Sequence, residues 1–396
     1  MAHLSHTLFT IEGMIFLRIL AAIDSFKGSM TSEEANDIVK KTLKHHDVIC
    51  FPVADGGEGT VAAFCHVEQG EFITKPMIDV NGKESTGTWG YINKTKTAII
   101  EVAEGAGIIH ARKDLFHPRY HTSYGVGEQI IQALDYGAQT IILGLGGSAT
   151  VDAGMGMMIA LGVTFLNHDG EVISALPVDL SQVAKIDTSG LDSRVKDVSW
   201  LVASDVTNPL TGPDGATYIF GPQKGYLSSE LAEKEQAMIH FSDVVASTLN
   251  KSCRDMPGAG AAGGIGFSCY SFFNATFQSG LTLLAERGCL KALINKADLV
   301  ITGEGSFDSQ SLSGKVPIGI SRLAKEVGTP VVLFAGKIEE GLTSLPEENI
   351  LVTLPIVNEP MKLEMAMSDG QRLLKEAVER FSHVLGLGYT LYSKRS

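Results

Sequence analysis

The fold is decided by the stretch Asp298-Leu-Val-Ile-Thr-Gly-Glu-Gly-Ser-Phe-Asp-Ser-Gln-Ser-Leu-Ser-Gly-Lys-Val-Pro317. Residues 299–302 form a short apolar, β-branched run, which is typical of a buried parallel strand. The run then breaks into a loop that carries Glu304, Asp308 and Lys315. Open α/β sheets bind ligands beyond the carboxyl ends of their strands, so we favour a ligand site here. The alternative is an ordinary strand-to-helix connection whose acids only cap the next helix.

Both ends of the chain alternate strands and helices in this style. Near the start, a predicted strand at 17–23 leads to Asp24 and a second at 48–53 leads to Asp55, and a helix follows each. The later elements are helix 316–327, strand 330–334, strand 351–356 and a closing helix at about 368–385. The first two strands therefore each deliver an aspartate to the edge where α/β sheets bind ligands.

The middle of the chain has a different pattern. Three predicted strands follow one another with only short turns between them, at 72–80, 87–92 and 97–102. Because no helix separates them, they should be antiparallel. The simplest architecture is α/β, with a doubly wound parallel-sheet domain built from both chain ends and an inserted mixed α/β domain. The predicted boundaries are 14–72 and 290–396 for the first domain and 73–289 for the inserted one.

Composition limits the class of protein. The 396 residues are 44% hydrophobic and 19% charged, as expected for a globular chain with sizeable cores. The formal net charge of -13 argues against a nucleic-acid partner. The five cysteines are scattered without C-x-x-C spacing and read as reduced thiols. The apolar run at 15–23 is too short for a membrane span, so we expect a cytoplasmic protein with no membrane partner.

Lysines and acids in the predicted loops suggest an anionic ligand. Four lysines have a glycine neighbour in a predicted loop, namely Lys27, Lys224, Lys315 and Lys337. Glycine lets backbone amides approach an anion while lysine supplies a positive charge. Each Gly-Lys pair taken alone is equally explained by an ordinary surface lysine in a loop. The acids suited to magnesium are Asp24, Asp55, Glu58, Asp205, Glu304 and Asp308. Lysines and carboxylates around an anion suggest phosphoryl transfer.

Nucleotide signatures are absent or lack their context. No G-x-x-x-x-G-K-[ST] occurs in the sequence. Residues 258–263 match G-x-G-x-x-G, but residues 253–257 before them are not a strand. Residues 144–149 follow a strand and fit G-x-G-x-x-A, yet no acidic strand end follows about twenty residues later. These glycines either hold phosphates or permit close packing, and an NAD(P)-dependent oxidoreductase of a small hydroxy acid remains the alternative, with a non-catalytic small-acid sensor as a third hypothesis.

Seven motifs closely resemble, in order, those of the bacterial glycerate kinase family. They are Asp24-Ser-Phe-Lys-Gly-Ser29, Pro52-Val-Ala-Asp-Gly-Gly-Glu-Gly-Thr60, Gly146-Gly-Ser-Ala-Thr150, Ser204-Asp-Val-Thr-Asn-Pro-Leu210, Phe220-Gly-Pro-Gln-Lys-Gly225, Pro257-Gly-Ala-Gly-Ala-Ala-Gly-Gly264 and Gly303-Glu-Gly-Ser-Phe-Asp308. One departure is Val151-Asp152-Ala153, where the family pattern has Asn-Asp-Gly. The resemblance implies a flavodoxin-like domain with an inserted second domain. It also implies phosphorylation of glycerate by ATP with magnesium, with 2-phosphoglycerate favoured as product.

Under this resemblance each candidate residue receives a role. The catalytic candidates are Asp24, Lys27 and Asp205, and Asp24 or Asp205 would be the base that accepts the hydroxyl proton. The candidates for substrate or nucleotide binding are Gly56, Gly57, Gly146, Gly147, Ser148, Asn208, Lys224, Gly260, Gly263 and Lys315. The metal candidates are Asp55, Glu304 and Asp308. The expected cofactors are ATP and Mg²⁺, the expected partners are glycerate and ATP, and a homodimer is left open.

Overall fold

The computed structural model describes residues 9–11, 14–111, 117–309 and 311–394. The chain divides into two compact units. The first contains the chain up to Ala54 and from Leu284 onward, and the second contains Asp55–Leu283. Within the described ranges, no helix is both long enough and apolar enough to cross a membrane.

Strands and helices alternate through most of the described chain. The strands are β1 (Phe9–Ile11), β2 (Met14–Phe16), β3 (Arg18–Ile23), β4 (Asp47–Cys50), β5 (Glu71–Ile78), β6 (Glu84–Ile92), β7 (Thr97–Glu101), β8 (Thr140–Gly144), β9 (Thr164–Leu166), β10 (Lys185–Asp187), β11 (Ser199–Ala203), β12 (Thr276–Gln278), β13 (Leu299–Phe307), β14 (Val331–Ile338) and β15 (Ile350–Pro355). The α-helices are α1 (Ser32–Thr42), α2 (Thr60–Glu68), α3 (Val102–Ala106), α4 (Tyr124–Asp135), α5 (Met155–Ala160), α6 (Ala216–Lys224), α7 (Leu231–Leu249), α8 (Ala261–Phe273), α9 (Gly280–Arg287), α10 (Leu290–Lys296), α11 (Val316–Val327), α12 (Leu363–Ser368) and α13 (Gly370–Ser393).

The first unit is built on a five-stranded sheet that contains strands from both chain ends. Its order is β15-β14-β13-β3-β4, and every neighbouring pair is parallel. Ile19 and Ile23 of β3 pack in one core with Val39 of α1 and Leu374 of α13. The intervening Leu20 is also buried, as expected for a parallel sheet covered on both faces. The predicted parallel sheet with strands from both ends is therefore confirmed.

Strand β13 is longer than the sequence predicts. The predicted break at Gly303 is wrong, because β13 stays paired with β14 as far as Phe307. Glycines permit this close pairing, since a Cβ added at Gly336 would lie 2.5 Å from the carbonyl oxygen of Gly305. Glu304 consequently lies within a strand rather than in a loop.

The second unit contains a six-stranded mixed sheet. Its order is β12-β11-β8-β7-β6-β5, in which the first four strands are parallel and the last two pairs are antiparallel. The antiparallel arrangement predicted for β5, β6 and β7 is confirmed. The core includes Ile100 of β7, Ile141 of β8 and Val202 of β11, together with Met158 of α5 and Phe267 of α8.

The chain passes from one unit to the other at different residues from the predicted boundaries. The predicted boundary after residue 72 assigned α2 to the first domain, whereas α2 lies in the second unit. The physical reason is the packing of α2 on β6. A Cβ added at Gly90 of β6 would lie 2.6 Å from Cys65 Sγ and 3.1 Å from Val61 Cγ1 of α2. At the other boundary, the second unit ends at Leu283 rather than at residue 289.

Candidate active site

Asp24 and Glu304 lie where the strand order of the first unit reverses. Gly303 of β13 pairs with Ile23, the last residue of β3, and the amide of Asp24 donates a 2.9 Å hydrogen bond to the carbonyl oxygen of Gly303. From β3 the chain proceeds to β4 on one side, and from β13 it proceeds to β14 on the other. The loops after these neighbouring strands therefore leave in opposite directions. Such switch points are where open α/β sheets bind their ligands.

Glu304 is a buried carboxylate with unused hydrogen-bonding capacity. The residue is 7% exposed, and within the described ranges its Oε1 has no hydrogen-bond partner. Burial raises the pKa of Glu304, while a hydrogen bond from Ser311 and the charges of Lys315 and Lys27 oppose this rise. Buried carboxylate oxygens normally have a partner, so the spare Oε1 is suited to a ligand hydroxyl or a cation.

Asp308 and Lys315 complete this group in the first unit. Lys315 Nζ lies 3.7 Å from Asp308 Oδ1, and Lys315 directly precedes α11. The amide of Ser311 donates to Asp308 Oδ1 over 3.1 Å, which closes the turn between strand and helix. Lys27, from the loop after β3, acts electrostatically on the same Glu304 carboxylate. The structure thus gathers three of the predicted residues, Lys27, Asp308 and Lys315, around Glu304.

In the second unit, the glycine-rich segments meet at the carboxyl ends of the parallel strands. Strands β7, β8 and β11 end at Glu101, Gly144 and Ala203. We define the 55–59 loop as the segment before α2 and the 145–150 loop as the segment after β8. The two loops are joined by a 3.0 Å hydrogen bond from the amide of Gly146 to the carbonyl oxygen of Gly56.

Close backbone packing explains why these loops need glycine. A Cβ at Gly146 would collide with the Cα of Gly57, and a Cβ at Gly56 would collide with the carbonyl oxygen of Ala203. Gly56 and Gly147 also have φ values of 92° and 73°, which favour glycine. The packing alternative therefore holds for these positions, and a role in nucleotide binding remains a prediction.

Asp205 follows β11 at the same edge of this sheet. Its pKa is raised, chiefly because the surrounding protein desolvates the carboxylate even though the residue remains exposed at the surface. The charge of Asp55 raises the pKa further, whereas hydrogen bonds from the Ser279 side chain and the Gly280 amide lower it. A carboxylate with a raised pKa is a stronger proton acceptor, as a general base requires.

Lys224 lies in a different environment from the predicted one. It ends α6 and is 3% exposed, rather than lying in a loop, and Gly225 caps the helix with a φ of 107°. Its Nζ donates hydrogen bonds of 2.8 Å to Ser148 Oγ and to the carbonyl oxygen of Thr150. Lys224 therefore positions the 145–150 loop.

Three further candidates of the second unit pack against protein. The Asn208 side chain donates to the carbonyl oxygen of Asp214 over 2.8 Å. A Cβ at Gly260 would collide with the carbonyl oxygen of Pro209, and one at Gly263 would collide with that of Thr150. Residues 254–257 before this segment form a turn rather than a strand, so the dinucleotide fingerprint lacks its context. Binding of a nucleotide by these three residues remains a prediction.

Sequence reasoning missed two buried acids in the second unit. Asp152 is 2% exposed and accepts a 2.6 Å hydrogen bond from Ser123 Oγ, whereas the family resemblance gives it no role. Glu101 accepts a 2.7 Å hydrogen bond from the amide of Val61. Its position as the third acid at a strand end, after Asp24 and Asp55, is the signal that would have identified it.

The predicted metal ligands are distributed over both units. Asp55 belongs to the second unit, and Glu304 and Asp308 belong to the first. Within the described ranges, no three His, Cys, Asp or Glu side chains form a group suited to a metal ion. Mg²⁺ is commonly held by one or two carboxylates together with substrate phosphates, so a magnesium site does not need such a group.

Comparison with known proteins places the chain in a family. Residues 19–386 match the model of the Glycerate kinase family. This chain belongs to that family. The glycerate kinase of Bacillus subtilis (strain 168) is 38% identical over 380 residues, which cover 95% of this chain and 100% of the relative. The glycerate 2-kinase of Escherichia coli (strain K12) is 37% identical over 380 residues, covering 94% and 99%.

A solved structure agrees with this assignment to the glycerate kinase family. It belongs to a protein from Salmonella typhimurium LT2 that carries the name glycerate kinase 2. The TM-score is 0.81 at 34% identity, and the alignment covers 94% of this chain and 99% of the other. The chain is therefore an enzyme, a kinase with the mixed α/β fold of the glycerate kinase family.

Proposed function

We propose that this kinase transfers the γ-phosphoryl group of ATP to a hydroxyl of glycerate and forms 2-phosphoglycerate. Family membership and relatives named glycerate kinase support the substrate, and the relative from Escherichia coli, named glycerate 2-kinase, supports the 2-phospho product. The structural observation that carries the proposal is the buried Glu304 carboxylate, with its spare oxygen, beside Lys27 and Lys315 at a strand-order reversal.

The proposal includes a doubly wound, flavodoxin-like first unit. Counted along the five-stranded sheet of that unit, β3, β4, β13, β14 and β15 are strands one to five, and their spatial order is 2-1-3-4-5. This is the order of flavodoxin-like sheets, whose ligand binds between the first and third strands. Asp24 and Glu304 belong to those two strands or follow them directly.

The oxygen donors of the site suit Mg²⁺ and a nucleotide phosphate. Hard cations of this kind prefer carboxylate oxygens, and Glu304 offers an oxygen without a partner among the described residues. We propose that Glu304 and Asp308 of the first unit would hold such an ion. Asp55 of the second unit is proposed separately as a metal ligand within its own unit. When bound, Mg²⁺ neutralises charge on the phosphates.

The remaining residues bind and orient the substrates or accept a proton. Lys27 and Lys315 supply positive charge where a phosphoryl group carries negative charge. The glycerate hydroxyl oxygen forms a bond to the γ-phosphorus, the bond from that phosphorus to the ADP oxygen breaks, and the hydroxyl proton passes to Asp24 or Asp205. We further propose a cytoplasmic location, which suits an enzyme that uses ATP.

A coupled assay tests the proposed function. Purified protein with ATP and MgCl₂ should release ADP when D- or L-glycerate is added, and should release little or none without an acceptor or with other hydroxy acids. Proton-coupled ³¹P NMR identifies the product, because a phosphate on a CH carbon gives a doublet and one on a CH₂ carbon gives a triplet. ADP release that does not depend on glycerate contradicts the proposal, and a triplet contradicts the 2-phospho product. Thermal protection by ATP but not by NAD(P) is the expected control result.

A further inference from the structure

Helix α2 begins without a side-chain cap of its own. Its N-cap residue is Gly59, with a φ of 91° and no side chain to accept from the first amides. The first amides of a helix need external partners. Glu101 Oε1 accepts the Val61 amide over 2.7 Å, and the Glu101 carboxylate also accepts a hydrogen bond from the Gly59 amide. A carboxylate that is 40 residues away in sequence therefore caps the helix.

Glu101 lies at the junction of the two loops. It is the last residue of β7, and it pairs with Gly144, after which β8 continues into the 145–150 loop. The 55–59 loop is held to the start of α2 by a 2.7 Å hydrogen bond from Thr60 Oγ1 to the carbonyl oxygen of Gly57. By fixing the start of α2, Glu101 thus also fixes the 55–59 loop. This is the loop that is hydrogen-bonded to the 145–150 loop.

The electrostatic surroundings of Glu101 are acidic. The residue is 7% exposed, and burial raises its pKa to about 7. The charged groups that act on it are Glu104 of α3 and Glu58 of the 55–59 loop, and both raise the pKa further, while the amides of Val61 and Gly59 lower it. The ionised form is the stronger acceptor for amides at a helix N-terminus.

We infer that ionised Glu101 is a positioning residue for phosphoryl transfer, which caps α2 and thereby holds the 55–59 loop, with Asp55, in its working place. The inference rests on the proposed function, because it assigns Asp55 to that reaction. A purely structural cap would act only through stability. The positioning role and the purely structural role predict different responses of activity and stability to the charge of Glu101.

The test compares Glu101→Gln with the wild type in the full-length protein. Glutamine keeps a carbonyl acceptor for the Val61 amide but carries no charge. Because the folded pKa of Glu101 is raised, its stabilising contribution is complete below the unfolded pKa and is lost as the pH rises through about 7. At pH 8 the variant should therefore melt at the same or a higher temperature, while its kcat/KM for ATP falls about tenfold or more.

The pH profile supplies a readout that a structural cap would not change. The wild-type kcat/KM for ATP should fall below about pH 7, and Glu101→Gln should lack this step. Glu104→Gln keeps Glu101 and should move the step to lower pH, which protects the test if Glu101→Gln does not fold. Glu84→Gln, at an exposed glutamate of β6 in the same sheet, is the control and should behave as wild type.

The outcomes separate the inference from the proposed function. Wild-type protein without glycerate-dependent ADP release would overturn the proposed function, and the inference would fall with it. Active wild type, with a Glu101→Gln variant of equal kcat/KM and an unchanged acidic step, would overturn the inference alone. Loss of activity in proportion to loss of melting temperature would also overturn it, because that is the behaviour of a structural cap.

Discussion

Lys224 Nζ donates a 2.8 Å hydrogen bond to Ser148 Oγ across 76 residues of sequence. The same ammonium group donates to the carbonyl oxygen of Thr150, also over 2.8 Å. Both Lys224 and Ser148 are buried, so this pair links the end of α6 to the 145–150 loop inside the second unit. Lys224 and Ser148, which were predicted separately to bind a ligand, are therefore hydrogen-bonded to each other.

Replacing Lys224 by methionine should weaken the fold and substrate binding together. The change leaves Ser148 Oγ and the Thr150 carbonyl without this donor, and a buried polar group left unpaired costs about 1–3 kcal/mol. Urea unfolding at neutral pH measures the loss, and the KM for ATP should rise. Lys375→Met is the control, because its pair with Glu379 lies on the exposed surface of α13. Equal unfolding midpoints for the Lys224 variant and wild type would contradict the account.

Alanine at Gly146 tests the contact between the two loops. The added Cβ would collide with the Cα of Gly57, so one loop must move. We expect a lower melting temperature and a raised KM for ATP. Gly386→Ala is the matched control, because a Cβ there has no neighbour within 4 Å and alanine favours a helix by about 0.5–1 kcal/mol. A Gly146 variant as stable and active as this control would show that the close approach is not needed.

Apolar periodicity was enough to predict the parallel sheet with strands from both ends and the antiparallel order of β5, β6 and β7. These features follow from short-range patterns of buried residues. The extension of β13 to Phe307 was not predictable in this way, because it depends on the contact between Gly305 and Gly336 on separate strands. The burial of Lys224 likewise depends on partners far away in sequence.

The candidate site could be predicted in part. The acids and lysines of the first unit follow strands, and their position at one edge follows from the rule for α/β sheets. Glu101 was read only as part of a strand, because its role depends on the amide of Val61, 40 residues earlier. The sequence pattern placed α2 in the first domain for the same reason, since nothing local in the sequence reveals its packing against Gly90 of the second unit.

Asp205→Asn should abolish most turnover if Asp205 is the base. General-base catalysis contributes about 10²–10⁴-fold, so kcat should fall by at least about a hundredfold. Because a base must be ionised, wild-type kcat should fall as the pH drops through the raised pKa of Asp205. Ser279→Ala removes a hydrogen bond that lowers this pKa and should move that fall to higher pH. An unchanged pH profile in the Ser279 variant, with near-normal turnover in Asp205→Asn, would assign the base elsewhere.

Asp308→Asn should reduce turnover with little effect on stability. The pair between Lys315 and Asp308 has an N···O distance of 3.7 Å, and its side chains are 45% and 35% exposed. Such pairs contribute about 0–1 kcal/mol to folding. We therefore expect a nearly unchanged melting temperature, a smaller fall in kcat than for Glu304→Gln and a higher magnesium requirement. Wild-type dependence of kcat on magnesium would remove Asp308 from the proposed ion site.

The most direct test of the proposed site is the kcat of Glu304→Gln, measured beside its melting temperature at pH 8. The account predicts a fall of at least about a hundredfold, roughly 2.7 kcal/mol of transition-state stabilisation. Since burial raises the pKa of Glu304, its stabilising contribution is lost as the pH rises, so the variant should melt at the same or a higher temperature. A helix-capping role predicts about 1 kcal/mol of lost stability with near-normal turnover. Wild-type kcat and magnesium dependence in a stable Glu304→Gln protein would contradict the account.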